Sequence, residues 1–224
     1  MDAAIGGKTA INLSRGKNLV GTFYQPLLVV SDVETLRTLP RAELVAGLAE
    51  VAKYGFIADP ALLELLEAKS ADIVGGEPHL LTDVVTRSTA IKARVVEADE
   101  RDRDRRAILN YGHTFAHALE QSAGYSGLRH GEAVAVGMMA AAHLACVMGR
   151  IDEEAVRLHR RVLEAVGLPV TASLDVARLE EAWRRDKKYR GGVRFVLLKA
   201  IGDAEVGVAV ERDAIVNAVE RLSG

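Results

Sequence analysis

The 224-residue chain reads as a mainly α-helical fold with a small β portion at its start. Three observations predict this. From Pro40 almost to the end, apolar residues recur at helical spacing. Hydrophobic residues make up 49% of the chain but aromatics only 4%, so Ala, Val and Leu dominate, as suits closely packed helices. Strand and turn signals are confined to the first 31 residues and to one stretch near the C-terminus.

Taken in order, Lys8–Leu13 and Leu19–Tyr24 flank Ser14-Arg15-Gly16 and predict a β-hairpin. Gln25-Pro26 punctuates, and Leu27–Ser31 reads as a short buried strand. Helices are expected at Arg41–Phe56, Pro60–Ala68, Pro78–Ala98, Ala107–Ala123, Gly131–Met148, Asp152–Val166 and Asp175–Arg185. Asp152 is a suitable N-cap with Glu154 in the first turn, and Gly149 and Gly167 are suitable stops. Val193–Leu198 and Glu205–Val210, around Ile201-Gly202-Asp203, predict a second hairpin, and a closing helix runs from Asp213 to Leu222. The chain thus divides into residues 1–39, a hairpin plus strand, and residues 40–224, helical. It opens on a Gly-rich turn with no earlier strand for the hairpin to pack on, as the middle of a domain would.

The net charge of −2 carries no footprint for nucleic acid. The acid–base run Glu97–Arg106 reads as solvated surface apart from its last residue. A lone cysteine, Cys146, rules out an internal disulfide framework and fits a reducing, cytoplasmic setting. The start lacks a charged segment followed by an apolar one, and the apolar run Ala133–Met148, broken by His143, is short for a membrane span.

Chemistry concentrates in a few places. His113 and His117 are one helical turn apart and share a face, and His130 follows at the start of an apolar helix. A histidine there is costly to bury unless paired or ligated. With one cysteine, a metal must use imidazole and carboxylate. In Gly47-Leu-Ala-Glu50-Val-Ala-Lys53, the apolar neighbours leave little room for a polar face, so Glu50 is expected to be partly buried, as a third ligand would be. Arg106, Asn110, His113 and His117 are expected on one stripe at helical spacing, which reads as the lining of a polar cavity rather than as core. Gly6-Gly7-Lys8, Gly16-Lys17-Asn18 and the Asp186–Gly192 stretch are weaker anion-binding signals, since each also suits an ordinary turn.

Several segments, in order along the chain, resemble the 3-dehydroquinate synthase family of sugar phosphate cyclases. They are Asp2-Ala-Ala-Ile-Gly-Gly-Lys8-Thr, Gly16–Pro26, Ala49-Glu50-Val-Ala-Lys53-Tyr-Gly, Leu109-Asn110-Tyr-Gly-His113-Thr-Phe-Ala-His117-Ala-Leu-Glu120, His130–Met138, Asp186-Lys-Lys188 and Arg194–Leu198. The resemblance implies a helical C-terminal domain with a remnant of an N-terminal Rossmann-like, NAD-binding domain at residues 1–39. Most of that domain would be missing, so the chain alone is expected to turn over negligibly.

Carried over by this resemblance, Glu50, His113 and His130 are the metal ligands, for zinc or cobalt, and His117 is a neighbouring substrate or proton-transfer residue. Asp2, Asn18, Lys53, Lys92, Arg106, Asn110 and Lys188 would contact substrate, with Lys53, Lys92, Arg106 and Lys188 around one cleft. Lys8, Lys17 and Thr35-Leu36-Arg37-Thr38 would lie along NAD. The implied reaction converts 3-deoxy-D-arabino-heptulosonate 7-phosphate to 3-dehydroquinate and phosphate in the shikimate pathway, with NAD oxidising a ring hydroxyl and later restoring it. The implied partner is this small sugar phosphate, with no nucleic acid or membrane, and a homodimer is expected for the full-length form. Other readings are a 2-deoxy-scyllo-inosose or valiolone synthase, a metal-dependent alcohol dehydrogenase of the glycerol dehydrogenase type, or a non-catalytic metal-binding helical fragment.

Overall fold

A computed structural model describes residues 3–13, 16–101, 105–122, 127–185 and 192–223, excluding the side chains of residues 12, 16–19, 185 and 223. Helix α6 (His130–Val147) is the axis of the fold, because almost every side of it is apolar and a helix of that kind must be surrounded. It packs against α1 (Arg41–Ala58), α5 (His113–Ser122), α7 (Glu153–Ala165), α9 (Arg212–Ser223) and strand β3 (Arg194–Ala200). By length and composition α6 could cross a membrane, but most of it is buried by these neighbours, so here it is a core helix.

Glycine sets how closely the helices approach. A Cβ on Gly131 would lie 1.9 Å from the Ala46 carbonyl oxygen of α1, and one on Gly137 would lie 2.2 Å from the Gly112 carbonyl oxygen. Both lie far inside contact distance, so α1 and the segment leading into α5 rest directly on the α6 backbone.

The outer elements follow local rules. Helix α2 (Pro60–Ala68) and α4 (Pro78–Ala98) each begin on a proline, where no amide donor is lost. Arg87 of α4 grips the Asp59 carboxylate through Nε and Nη2 at 2.9 and 2.8 Å, fastening α4 to the α1–α2 junction. Asp152 caps α7 by accepting from the Ala155 amide, and α8 spans Val176–Arg185. Strands β3 and β4 (Asp203–Ala209) form an antiparallel hairpin, held to α1 by the Gly202 amide donating to the Phe56 carbonyl.

At the start, β1 (Lys8–Leu13) pairs antiparallel with β2 (Gly16–Phe23). Two expectations fail here and nearby. Leu27–Ser31 is not a buried strand: among the described residues no strand pairs with it, and Leu27, Leu28 and Val30 are exposed. An apolar run becomes a strand only where a neighbour supplies hydrogen bonds. The expected Ala107–Ala123 helix is two pieces, a 3-10 turn over Arg105–Asn110 and then α5. Gly112 breaks it with φ +78°, and a Cβ there would strike Met138 of α6. Two short elements were not foreseen, a 3-10 turn at Val33–Thr38 and helix α3 (Ser70–Gly75).

Candidate metal centre

Helices α1, α5 and α6 bring three ligand-bearing side chains to one point. Glu50 lies in the middle of α1, while His113 and His130 are the first residues of α5 and α6. The ligand atoms of all three lie within 4.8 Å of one another. Glu50 Oε1 is 3.4 Å from His113 Nε2 and 3.8 Å from His130 Nε2.

The far side of each ring decides which nitrogen faces the carboxylate. His113 Nδ1 lies 3.1 Å from the Tyr111 carbonyl oxygen, which can only accept, so Nδ1 carries the proton. His130 Nδ1 lies 3.1 Å from Glu120 Oε1, again an acceptor. With Nδ1 protonated, each ring in its neutral form presents an Nε2 lone pair on the side of Glu50, and in its charged form an N–H. The remaining carboxylate oxygen, Oε2, is taken by the buried Lys53 ammonium. Burial by itself would raise the Glu50 carboxyl, but Lys53 and His113 outweigh it and hold the group well below the usual carboxylate range. Two imidazole nitrogens and one ionised oxygen form a donor set that zinc accepts while keeping a coordination position open.

Beside this cluster is a cavity of about 300 Å³ lined in part by Asn110, His113, Thr114, His117, Trp183 and Arg194. Trp183 Nε1 donates to the Thr114 carbonyl at 2.9 Å, which fixes one wall to α5. His117 is exposed at the cavity, with its ring centroid 5.5 Å from that of His113 and 6.1 Å from that of His130. A cavity of this size suits a small-molecule ligand.

Other singled-out residues lie elsewhere. Arg106 does not share a continuous helical stripe with Asn110, His113 and His117, because the backbone turns at Gly112. Its side chain is buried, with Nη1 donating to the carbonyls of Gly6 and Glu100, both at 2.9 Å. Gly6 makes room for that guanidinium, since a Cβ there would meet Nη2 at 2.2 Å. Lys92 is half-buried on α4, and neither it, Lys53 nor Arg106 lines the 300 Å³ cavity. Lys8 is exposed at the start of β1. In the 3-10 turn, Thr35 and Thr38 donate to the Asp32 and Thr35 carbonyls, Arg37 pairs with Glu34, and Leu36 packs on the core. A larger groove, about 1000 Å³, runs between α4 and the segment that includes Gln25, Pro26 and Asp32. Asp2 and Lys188 lie outside the described residues, as do the side chains of Lys17 and Asn18.

Sequence reasoning passed over Glu120. Its signal was available, since it follows His117 by three residues and His113 by seven, on the same face of α5.

The sequence matches two family models, 3-dehydroquinate synthase N-terminal over residues 1–46 and 3-dehydroquinate synthase C-terminal over residues 47–189. A 3-dehydroquinate synthase from Mycobacterium leprae is 47% identical, with 100% of this chain and 62% of the relative covered. One from Rhodococcus opacus is 50% identical over 90% of this chain and 55% of the relative. The chain thus spans about three fifths of the length of these relatives. Among solved structures, 2-epi-5-epi-valiolone synthase from Streptomyces hygroscopicus with NAD+ and Zn2+ bound superposes with a TM-score of 0.88 at 29% identity, covering 99% of this chain and 62% of that one. A 2-deoxy-scyllo-inosose synthase complexed with carbaglucose-6-phosphate, NAD+ and Co2+ gives 0.82 at 28% identity, covering 98% and 63%. Sequence match, helical architecture and a site built on α1, α5 and α6 agree: the chain belongs to the 3-dehydroquinate synthase family.

Proposed function

We propose that this chain is the metal- and substrate-binding part of a 3-dehydroquinate synthase, a cytoplasmic lyase that converts 3-deoxy-D-arabino-heptulosonate 7-phosphate to 3-dehydroquinate and phosphate, using NAD and zinc or cobalt. The observation that carries the reading is the convergence of His113 Nε2 and His130 Nε2 on Glu50 Oε1. A divalent ion held there would polarise a substrate oxygen as a Lewis acid, and NAD would accept and return the hydride.

The chain's own residues divide the remaining work. Lys53 keeps Glu50 ionised from the side away from the imidazoles. His117, exposed at the adjoining cavity, is placed to exchange a proton with a bound sugar phosphate, and Asn110 on the same wall can bond its hydroxyls. By family resemblance we assign Asp2, Asn18, Lys92, Arg106 and Lys188 to substrate binding, and Lys8, Lys17 and Thr35–Thr38 to NAD. On the same basis, residues 1–39 belong to the nucleotide-binding unit, residues 40–224 to the metal-binding unit, and the full-length enzyme is a homodimer.

The solved neighbours bring a second reading, a valiolone- or inosose-forming cyclase. It is the weaker one, because those structures are 28–29% identical to this chain whereas the dehydroquinate synthases reach 47–50%. The test has two parts. Zinc or cobalt titration of the chain should give one equivalent bound, lost in Glu50→Ala and His113→Ala. With the N-terminal nucleotide-binding domain of a relative joined to the chain, mass spectrometry of products from the heptulosonate phosphate, sedoheptulose 7-phosphate and glucose 6-phosphate, each with NAD and zinc, should show conversion of the first alone. Binding that survives both substitutions would overturn the site, and conversion of either other sugar would overturn the substrate.

A further inference from the structure

We infer that Glu120 is a positioning residue for the metal centre, acting through His130 to set which imidazole nitrogen faces Glu50. The inference rests on the proposed metal reading.

The two histidines of the centre are held differently. The His113 side chain is only 13% exposed, and its Nδ1 is fixed by a main-chain carbonyl of the segment that leads into α5. The His130 side chain is 51% exposed and belongs to the first residue of α6. Surrounding atoms therefore restrain its ring far less. A neutral imidazole with no partner favours the proton on Nε2, and in that form the nitrogen facing Glu50 has no lone pair to give. Glu120 reverses the preference. Its carboxylate, 11% exposed and limited to accepting, sits 3.1 Å from His130 Nδ1 and draws the proton there. A carboxylate behind a ligating imidazole also fixes the orientation of the ring. Helix α5 thus serves the centre at both ends, with His113 in its first turn and Glu120 in its last.

Glu120 has a second possible use. With His117 and His130 it forms another group whose ligand atoms lie within 4.8 Å of one another. The conservative variant separates the two roles. In Glu120→Gln the amide oxygen still accepts from Nδ1–H, but it is a poor metal ligand.

Zinc affinity, measured by chelator competition on the whole chain, should fall about 10- to 100-fold in Glu120→Ala, as for other partners of ligating histidines, and should be largely recovered in Glu120→Gln. In the metal-free protein at a pH where His130 is neutral, 15N NMR should place its proton on Nδ1 in the wild type and shift it to Nε2 in Glu120→Ala. Unchanged affinity in Glu120→Ala, or an Nε2 proton in the wild type, overturns the inference. Glu120→Gln as weak as Glu120→Ala also overturns it, because that result means direct ligation. A wild-type chain that binds zinc no better than Glu50→Ala overturns the metal reading itself, and this outcome is distinct from the others.

Discussion

The Tyr111 hydroxyl donates to Nε2 of His159 at 2.9 Å inside the helical core. The direction follows from the other ring nitrogen, which lies 2.7 Å from the Ala155 carbonyl and must carry the proton. Phe56 of α1 stacks on the same ring at 3.7 Å. Two residues before His113, this bond ties the entry to α5 to helix α7, while the Tyr111 carbonyl holds His113 itself. Core order and ligand orientation thus meet at one residue.

Tyr111→Phe should therefore be costly despite removing one oxygen. It leaves a buried imidazole nitrogen without a donor, a loss of about 1–3 kcal/mol. Denaturant unfolding will measure the drop. A variant as stable as the wild type would mean that His159 finds another partner.

Stability should fall as the solution is acidified through the range set by His159. Burial, above all, lowers its pKa from 6.5 to about 4. Between those values the unfolded chain takes up a proton that the folded chain refuses, so acid favours unfolding. The loss begins near pH 6.5, grows as pH falls, and levels near pH 4 at about 3 kcal/mol. Burial also lowers His143, so His159→Gln should reduce the slope without abolishing it. Urea midpoints at several pH values provide the check, and a slope that is unchanged in His159→Gln would refute the assignment.

Two glycines of neighbouring helices should respond in opposite ways to alanine. Gly131→Ala drives a methyl into the Ala46 carbonyl and forces α1 away from α6. Overpacking of this kind costs about 1–3 kcal/mol. Because Ala46 is one turn before Glu50 and Gly131 follows His130, zinc affinity should fall as well. A Cβ on Gly47 meets nothing within 4 Å, so Gly47→Ala should be neutral or stabilise by up to about 1 kcal/mol through helix propensity. Thermal melts and zinc titration of both variants test the pair.

Arg106→Ala should release the start of the chain. The Gly6 and Glu100 carbonyls lose their shared buried donor. Amide hydrogen exchange should quicken over residues 3–13 while α6 stays protected. Equal protection of the first segment in both proteins would show that Arg106 does not hold it.

Zinc should stabilise the chain by mass action, about 2.7 kcal/mol at a free concentration of 100 Kd. A chelator should reverse the gain, and His113→Ala should remove it. Unfolding curves with and without zinc measure the difference.

Much of this protein is settled by interactions close in sequence. Prolines 60 and 78 start helices, and Asp152 caps one, through contacts made within a single turn. The apolar circumference of α6 marks it as the core axis without reference to any other residue. The imidazole pair His113 and His117 stands out for the same reason of spacing, although spacing by itself would make them joint ligands. Tertiary structure decided what depends on distant partners. It broke the expected 107–123 helix at Gly112, where α6 comes too close for a side chain. It left Leu27–Ser31 without a strand partner among the described residues, since β structure requires a neighbour that the segment's own sequence cannot supply. It drew Arg106 onto Gly6, one hundred residues away, and placed Glu120 behind His130. Local propensity depends on a few neighbouring residues, whereas hydrogen bonds between helices depend on how the whole core packs, and only the folded chain determines that.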